Sequence, residues 1–171
     1  YQIAHSMFVG VSSAVQPING YNFGAKNYDR VRKTYRMATG AALVISALWW
    51  LIYLLLPRQL AMLFVSNEPL YLDCAAHCFR LYMMAFFLYG VHMTTASFFQ
   101  GIGKPTCSLL ISLVRQGVLL IPLALLLSRY WGLDGALFAV PIADVLTCLL
   151  CVALAWSEFR GWKKRGWLNA A

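Results

Sequence analysis

The chain has 171 residues, of which 61% are hydrophobic and only 12% are charged, and its formal net charge is +8. Soluble domains carry roughly 25% charged residues, so this composition excludes an ordinary soluble protein. The basic residues lie in clusters between apolar runs, which indicates membrane topology and argues against a nucleic-acid-binding surface.

The first charged segment of the chain lies between two long apolar runs. Residues 1–25 and 37–57 contain no Asp, Glu, Lys or Arg. The intervening basic residues are Lys26, Arg30, Arg32, Lys33 and Arg36. Because Lys and Arg stay on the cytoplasmic side, they predict an inner loop between two membrane spans. We place these spans at about 2–19, running inward, and about 37–56. Pro17 near the end of the first span, and Gly20 and Gly24 beyond it, are helix-breaking signals.

Three more apolar runs follow in the remaining sequence. They predict spans at about 73–99, 106–128 and 135–157, before a basic cytoplasmic tail at 158–171. Residues 60–65 are predicted to lie in the outer interface, and residues 66–69 to start a helix. Ten Lys and Arg then fall on the inner side and at most three on the outer side, as expected for cytoplasmic loops. The prediction is an all-α integral membrane protein with five transmembrane helices, starting outside and ending in the cytoplasm.

Arg115 and Asp144 are the two formal charges well inside the predicted spans. Counted at ~1.5 Å per residue, they lie roughly 20 Å and 15 Å from the outer ends of two helices joined by a tight turn. An unpaired charge at that depth costs several kcal/mol, so we expect the two side chains to pair or to face an aqueous cavity. A pair would hold the two helices together, and we favour this structural role. Alternatively, Asp144 takes part in proton or cation coupling.

Both charges belong to polar stripes at helical spacing. Ser108, Ser112, Arg115 and Gln116 form one stripe, and Pro141, Asp144, Thr147, Cys148 and Cys151 form the other. Pro122 and Pro141 each remove a backbone N–H from a helix. Bent helices beside polar side chains are typical of transporter pathways, although proline kinks also occur in membrane helices without such a role.

The third span carries an aromatic stripe, Tyr82, Phe86, Tyr89 and Met93. The stripe could line a pocket for flat, apolar cations through stacking and cation–π contacts, or it could face lipid or other helices. His92 lies beside it and could titrate near neutral pH, but a hydrogen-bonded packing histidine is the expected role. The polar inner half of this span is predicted to face other helices or water.

No catalytic or metal-binding motif is evident. The five cysteines are spread through apolar runs, and the spacing of Cys74, His77 and Cys78 lacks the second ligand pair that zinc sites usually have. Glycine-rich phosphate loops, HExxH and nucleophile–base pairs are also lacking. We therefore expect neither an enzyme nor a metal site.

Several segments together resemble the multidrug and toxic-compound extrusion (MATE) family. The segment QPINGYNFGAK, which contains Gln16, Pro17, Gly20, Asn22, Gly24 and Ala25, resembles the end of the family's eighth helix and the loop after it. The segments FQGIGKP (Gln100, Gly101, Gly103), RQ, IPL (Pro122), GLDG and PIAD (Pro141) are similar to its tenth to twelfth helices. The resemblance covers nearly the whole chain in the correct order.

The resemblance implies that residues 1–171 are a partial C-terminal lobe, helices eight to twelve, of a twelve-helix antiporter. Such a protein would export drugs or organic cations in exchange for H⁺ or Na⁺ across the bacterial inner membrane. It would have no cofactor, and the coupling ion would bind mainly outside this segment. The partners would be the lipid bilayer and the N-terminal lobe of the same chain. Alternatives are a lipid-linked oligosaccharide flippase of the same superfamily and a non-transporting structural membrane subunit.

Overall fold

The computed structural model describes residues 2–62 and 69–168, with the backbone alone at position 69. Within these residues the chain is helical, as predicted, with short connections and no strand. The helices are α1 (Gln2–Gly24), α2 (Tyr28–Leu55), α3 (Pro57–Met62), α4 (Pro69–Tyr82), α5 (Tyr89–Gly101), α6 (Pro105–Leu113) and α7 (Ile121–Lys164). A 3₁₀ turn at Phe86–Leu88 precedes α5, and a π-helical segment at Val114–Leu120 joins α6 to α7. The predicted interfacial segment and helix start lie mostly outside the described residues, apart from α3 and the first residue of α4.

Helix α1 continues through Pro17 and Gly20 and ends at Gly24, so of the three predicted helix-breaking signals Gly24 coincides with the helix end and the other two do not. A proline inside a helix removes one backbone hydrogen bond, and membrane helices tolerate this loss when neighbouring helices pack around them. A short link at 25–27, where Lys26 has φ 59°, leads to α2 at Tyr28. The basic residues at 30–36 therefore lie on the first turns of α2 and not in a loop.

The predicted third span is broken into α4 and α5, which are bent by 44° relative to each other. Two backbone carbonyls at the break accept hydrogen bonds from α2: Trp50 Nε1 donates to Met84 O at 3.0 Å and Ser46 Oγ donates to Phe87 O at 2.7 Å. A carbonyl that leaves a helix inside a membrane must find another donor. Side chains of α2 therefore stabilise the break, and the prediction of one continuous helix is wrong.

The last two predicted spans form a hairpin that reverses at Gly132. Gly132 has φ 58° and ψ −134°, a conformation that disfavours side chains. Just beyond the reversal, a Cβ at Gly135 would overlap the carbonyl of Leu127, so the two helices meet backbone to backbone. The turn lies where the sequence predicts it.

Length and composition allow two continuous helical stretches of the described residues to cross a membrane: Tyr28–Leu55 and the 60 residues Pro105–Lys164. The helices Leu70–Tyr82 and Phe86–Gly101, which meet at the bend, form a third stretch that could cross a membrane if the two are counted as one span. Because Pro105–Lys164 reverses at Gly132, it contains both the fourth and the fifth predicted spans. Helix α1 has 23 residues but carries many polar side chains and is not among these stretches, so the first span stays a prediction.

Two glycines of the family-type segments, Gly20 and Gly101, lie where α1 and α5 touch. A Cβ on Gly101 would lie 2.8 Å from the Gln16 carbonyl oxygen, and a Cβ on Gly20 would lie 3.2 Å from the Gly101 carbonyl oxygen. Small residues let membrane helices approach closely enough for extensive van der Waals contact. Gln16, Gly20 and Gly101, which are far apart in the sequence, therefore belong to one helix-packing contact.

Candidate functional site

The charged pair predicted from the sequence forms in the structure. Arg115 Nε donates to Asp144 Oδ1 at 2.9 Å, and Arg115 Nη2 lies 2.8 Å from the same oxygen. The side chains are only 12% and 6% exposed. The π-helical segment presents Arg115, and the reversal at Gly132 brings Asp144 of α7 back to the same depth. A buried guanidinium and carboxylate compensate each other's desolvation only when they are in direct contact, as they are here.

Tyr89 of α5 connects this pair to the start of the chain. The Arg115 guanidinium lies 5.4 Å from the centroid of the Tyr89 ring, within cation–π range. The Tyr89 hydroxyl is 2.9 Å from His5 Nδ1 on α1. Four segments that are distant in sequence therefore share one polar network. Sequence reasoning missed His5; the available signal was an ionisable residue within a predicted membrane span.

His92 lies one turn after Tyr89, with the ring centroids 5.9 Å apart. Both of its ring nitrogens are buried and have no hydrogen-bond partner within the described part of the chain. His92 is thus a packing histidine, as expected, but the expected hydrogen bond does not form within the described residues. Buried polar atoms without such partners also occur at Ser12, Asn19 and Thr147.

The polar inner half of the predicted third span faces other helices. Thr95 Oγ1 lies 3.0 Å from the Tyr35 hydroxyl, and Thr94 Oγ1 lies 3.3 Å from Thr39 Oγ1. Both contacts join α5 to α2. Thr94 and Thr95 are almost fully buried, so they form helix-packing contacts and do not line open water.

The aromatic stripe does not form one cation pocket. The Phe86 and Tyr89 rings are stacked at 5.4 Å and are only 3% and 5% exposed, and Met93 packs against the same cluster. Tyr82 is separated from them by the break after α4 and lines a cavity of about 540 Å³ beside Cys74, Cys78 and Leu137. Phe86, Tyr89 and Met93 therefore face other helices, in agreement with the helix-facing alternative, whereas the bend separates Tyr82 from them and places it at this cavity.

The polar stripe of α6 is also divided. Ser108 is buried and accepts a hydrogen bond from Gln100 Nε2 at 2.8 Å. Ser112 is half-buried, whereas Gln116 is exposed in the π-helical segment. Of this stripe, Arg115 is the member that the structure places against Asp144. Pro141 lines a second cavity of about 430 Å³ with apolar neighbours, and neither cavity includes Arg115 or Asp144.

The cysteine–histidine segment of α4 holds no metal-type cluster. His77 Nε2 contacts Asp134 Oδ1 at 3.1 Å, which joins α4 to α7 beside the reversal at Gly132. Across the described residues, no three His, Cys, Asp or Glu side chains come together in a way that could hold a metal ion. Zinc sites in proteins use three or four such ligands.

Comparison with known proteins agrees with the resemblance in sequence. The MatE family profile matches residues 2–126. The chain is 29% identical to the FAD transporter of Shewanella oneidensis over 147 residues, which cover 86% of this chain and 32% of that protein. It is 24% identical to the multidrug export protein MepA of Staphylococcus haemolyticus over 156 residues, covering 91% and 34%. The chain thus spans about a third of the length of the curated relatives it matches.

Solved structures show the same relationship. The MATE multidrug transporter DinF-BH superposes with a TM-score of 0.83 at 34% identity, covering 88% of this chain and 34% of that one. An inward-facing MATE transporter of the MOP superfamily superposes with a TM-score of 0.88 at 22% identity, covering 95% and 38%. The second match shows the fold, and the first also shows similarity in sequence.

Proposed function

The chain belongs to the MATE family, and we propose that its full-length protein is a secondary antiporter that exports drugs or organic cations in exchange for H⁺ or Na⁺. The observation that carries the proposal is the similarity to the multidrug transporter DinF-BH, which extends over 88% of the chain in both fold and sequence. The relative MepA is likewise named as a multidrug export protein. Transport, and not catalysis, is the activity of the family.

Residues 1–171 supply part of one lobe. Alternating access requires two lobes that move around a central substrate site. The described helices therefore work together with a further lobe of the same protein within the bilayer. The basic residues on α2 and at the end of α7 support a location of those helix ends in the cytoplasm of a bacterial cell, because Lys and Arg are retained on that side of the inner membrane.

The buried pair Arg115–Asp144 has a structural role in this lobe. It joins the π-helical segment to α7, and the Tyr89 ring joins both to α5. A carboxylate already engaged by a guanidinium at 2.8 Å is poorly placed to exchange a proton or a sodium ion in each transport cycle. The coupling ion accordingly binds mainly outside these residues.

A second candidate substrate is a flavin, because the relative from Shewanella oneidensis is named an FAD transporter. The lipid-linked oligosaccharide flippase finds less support. Binding a lipid diphosphate would favour several free arginines in a cavity, whereas the one arginine at membrane depth in the described helices is already engaged by Asp144.

The experiment compares the full-length protein with residues 1–171 alone, each expressed in bacteria that lack their own exporters. The full-length protein should lower the accumulation of a fluorescent organic cation, and a proton or sodium ionophore should abolish this effect. Residues 1–171 alone should not lower it, because one lobe cannot alternate. Export of FAD without export of cations would support the flavin candidate. Export of cations by residues 1–171 alone would contradict the proposal.

A further inference from the structure

Two basic segments from opposite ends of the chain form one surface, here called the basic rim. The first segment is the α1–α2 link with the first turns of α2, and the second is the end of α7. The members of the basic rim are Lys26, Arg30, Arg32, Lys33, Arg36, Arg160, Lys163, Lys164 and Arg165. All are exposed except Arg32, which is half-buried.

An aromatic cluster holds the two segments together. Tyr28 at the start of α2 stacks on Trp167, with centroids 4.6 Å apart and ring planes within 11°. Trp162 is 1% exposed and packs against Tyr28 at 5.5 Å and Phe23 at 5.7 Å. The buried Trp162 ring and the stacked Tyr28–Trp167 pair hold the two segments against each other, so the basic rim is one ordered surface and not two independent tails.

The acidic residues of this region do not neutralise the basic rim. Glu158 is engaged by Lys104, whose Nζ lies 2.6 Å from both carboxylate oxygens, and by Trp162 Nε1 at 2.8 Å. Lys104 belongs to the α5–α6 connection and is not part of the basic rim. In residues 2–36 and 158–168, the other acid is Asp29. The basic rim therefore has nine basic side chains, and these two segments supply one acid, Asp29, besides Glu158.

Two arginines of the basic rim are stacked on tryptophan rings. The Arg160 guanidinium lies 3.6 Å from the centroid of Trp156, which is 58% exposed, and the Arg165 guanidinium lies 4.9 Å from that of Trp167. Stacking orders the guanidinium while leaving its N–H edge free for bidentate bonds to phosphate. Exposed tryptophan at the end of a membrane helix is typical of the headgroup region.

We propose that the basic rim binds the phosphate groups of anionic phospholipids in the leaflet that it faces. The surface lies at the ends of α2 and α7, helices that are long and apolar enough to cross a membrane. At that position phospholipid headgroups are the most abundant phosphate-bearing partner. Juxtamembrane basic clusters are attracted to anionic leaflets, with a gain of about fivefold in binding for each basic residue near the surface. The exposed Trp156 ring beside Arg160 favours a lipid over a soluble acidic partner.

The test uses the full-length protein with Arg160 and Arg165 both changed to Gln. A matched variant with both changed to Lys keeps the charge and hence the topology. Arg129→Gln, at the exposed outer turn, is the control for loss of charge elsewhere. Each protein is equilibrated with equimolar phosphatidylglycerol and phosphatidylcholine in detergent, and native mass spectrometry measures which lipids remain bound. Size-exclusion chromatography checks that each variant is monodisperse.

The wild type, the Lys variant and Arg129→Gln should retain phosphatidylglycerol over phosphatidylcholine. The Gln variant loses two basic residues at about fivefold each, so it should lower this ratio by up to about 25-fold. An unchanged ratio in the Gln variant would overturn the proposal. If that variant keeps the ratio but loses binding of soluble polyglutamate, the basic rim docks an acidic protein and the lipid proposal is wrong.

Discussion

Removing one partner of the Arg115–Asp144 pair should destabilise the lobe strongly. Asp144→Asn leaves Arg115 without its carboxylate at a site where the guanidinium side chain is only 12% exposed. Breaking a buried ion pair from one side costs about 3–5 kcal/mol. The Tyr89 ring, 5.4 Å from the guanidinium, still faces the remaining charge and offsets part of this loss. We therefore expect the low end of the range, about 3 kcal/mol, or roughly a hundredfold in the folded-to-unfolded ratio.

The double variant carries the more specific expectation. With Arg115→Gln and Asp144→Asn together, neither charge is left buried and alone. About half of the summed loss should then return, as coupling between contacting residues requires. The assay is reversible unfolding of the full-length protein in mixed micelles with increasing SDS. Arg129→Gln is the matched control, since Arg129 is exposed at the outer turn. The coupling would be contradicted if the losses in free energy of unfolding of the two single variants simply added in the double variant. An Asp144→Asn variant as stable as the wild type would also contradict it.

Three further predictions concern topology and helix packing. In a cysteine-free background, Asn27→Cys should react with a membrane-impermeant thiol reagent only from the cytoplasm, and Tyr130→Cys, at an 81% exposed site, only from outside; the reverse pattern would contradict the predicted orientation. Gly101→Ala should lower the free energy of unfolding by about 1–3 kcal/mol, because its Cβ would lie 2.8 Å from a backbone oxygen, whereas Gly10→Ala, with no neighbour within 4 Å, should not destabilise. Ser46→Ala should lower the free energy of unfolding by about 1–3 kcal/mol in the same SDS assay, since Phe87 O loses a buried donor at 2.7 Å. Ser128→Ala, which removes an exposed hydrogen bond, is the control. Equal stability of the two variants would show that the bend does not need the Ser46 bond.

The pairing of Arg115 with Asp144 was predictable because the information is local. Both residues lie in apolar runs, 29 positions apart, on either side of a glycine-containing turn. A hairpin of two helices then brings them to similar depth without knowledge of the rest of the fold. The cost of an isolated charge in the membrane supplies the reason for contact.

The break between α4 and α5 was not predictable in this way. Residues 83–85 are Met-Met-Ala, which contain neither proline nor glycine. The bend depends on donors from a different helix, Ser46 and Trp50 of α2, to satisfy the exposed carbonyls. A single-sequence reading of one segment cannot include such donors, so it predicts a continuous helix and a continuous aromatic stripe.

The contact between His5 and Tyr89 was likewise not predictable from the local sequence. Its two residues are 84 positions apart, and neither pattern nor spacing points from one to the other. The role of Gly20 and Gly101 likewise emerges only when α1 and α5 are packed, although the family resemblance already marked both positions. Tertiary packing, and not local sequence preference, determines these contacts.

We propose that this chain is part of one lobe of an ion-driven exporter, and that its buried pair has a structural role and not a role in ion coupling. The most direct measurement is ion-gradient-driven uptake of an organic cation into proteoliposomes containing the full-length Arg115→Gln, Asp144→Asn double variant, normalised to folded protein. We expect uptake to be retained and still to require the imposed H⁺ or Na⁺ gradient. Folded protein that binds the cation but no longer responds to either gradient would contradict it.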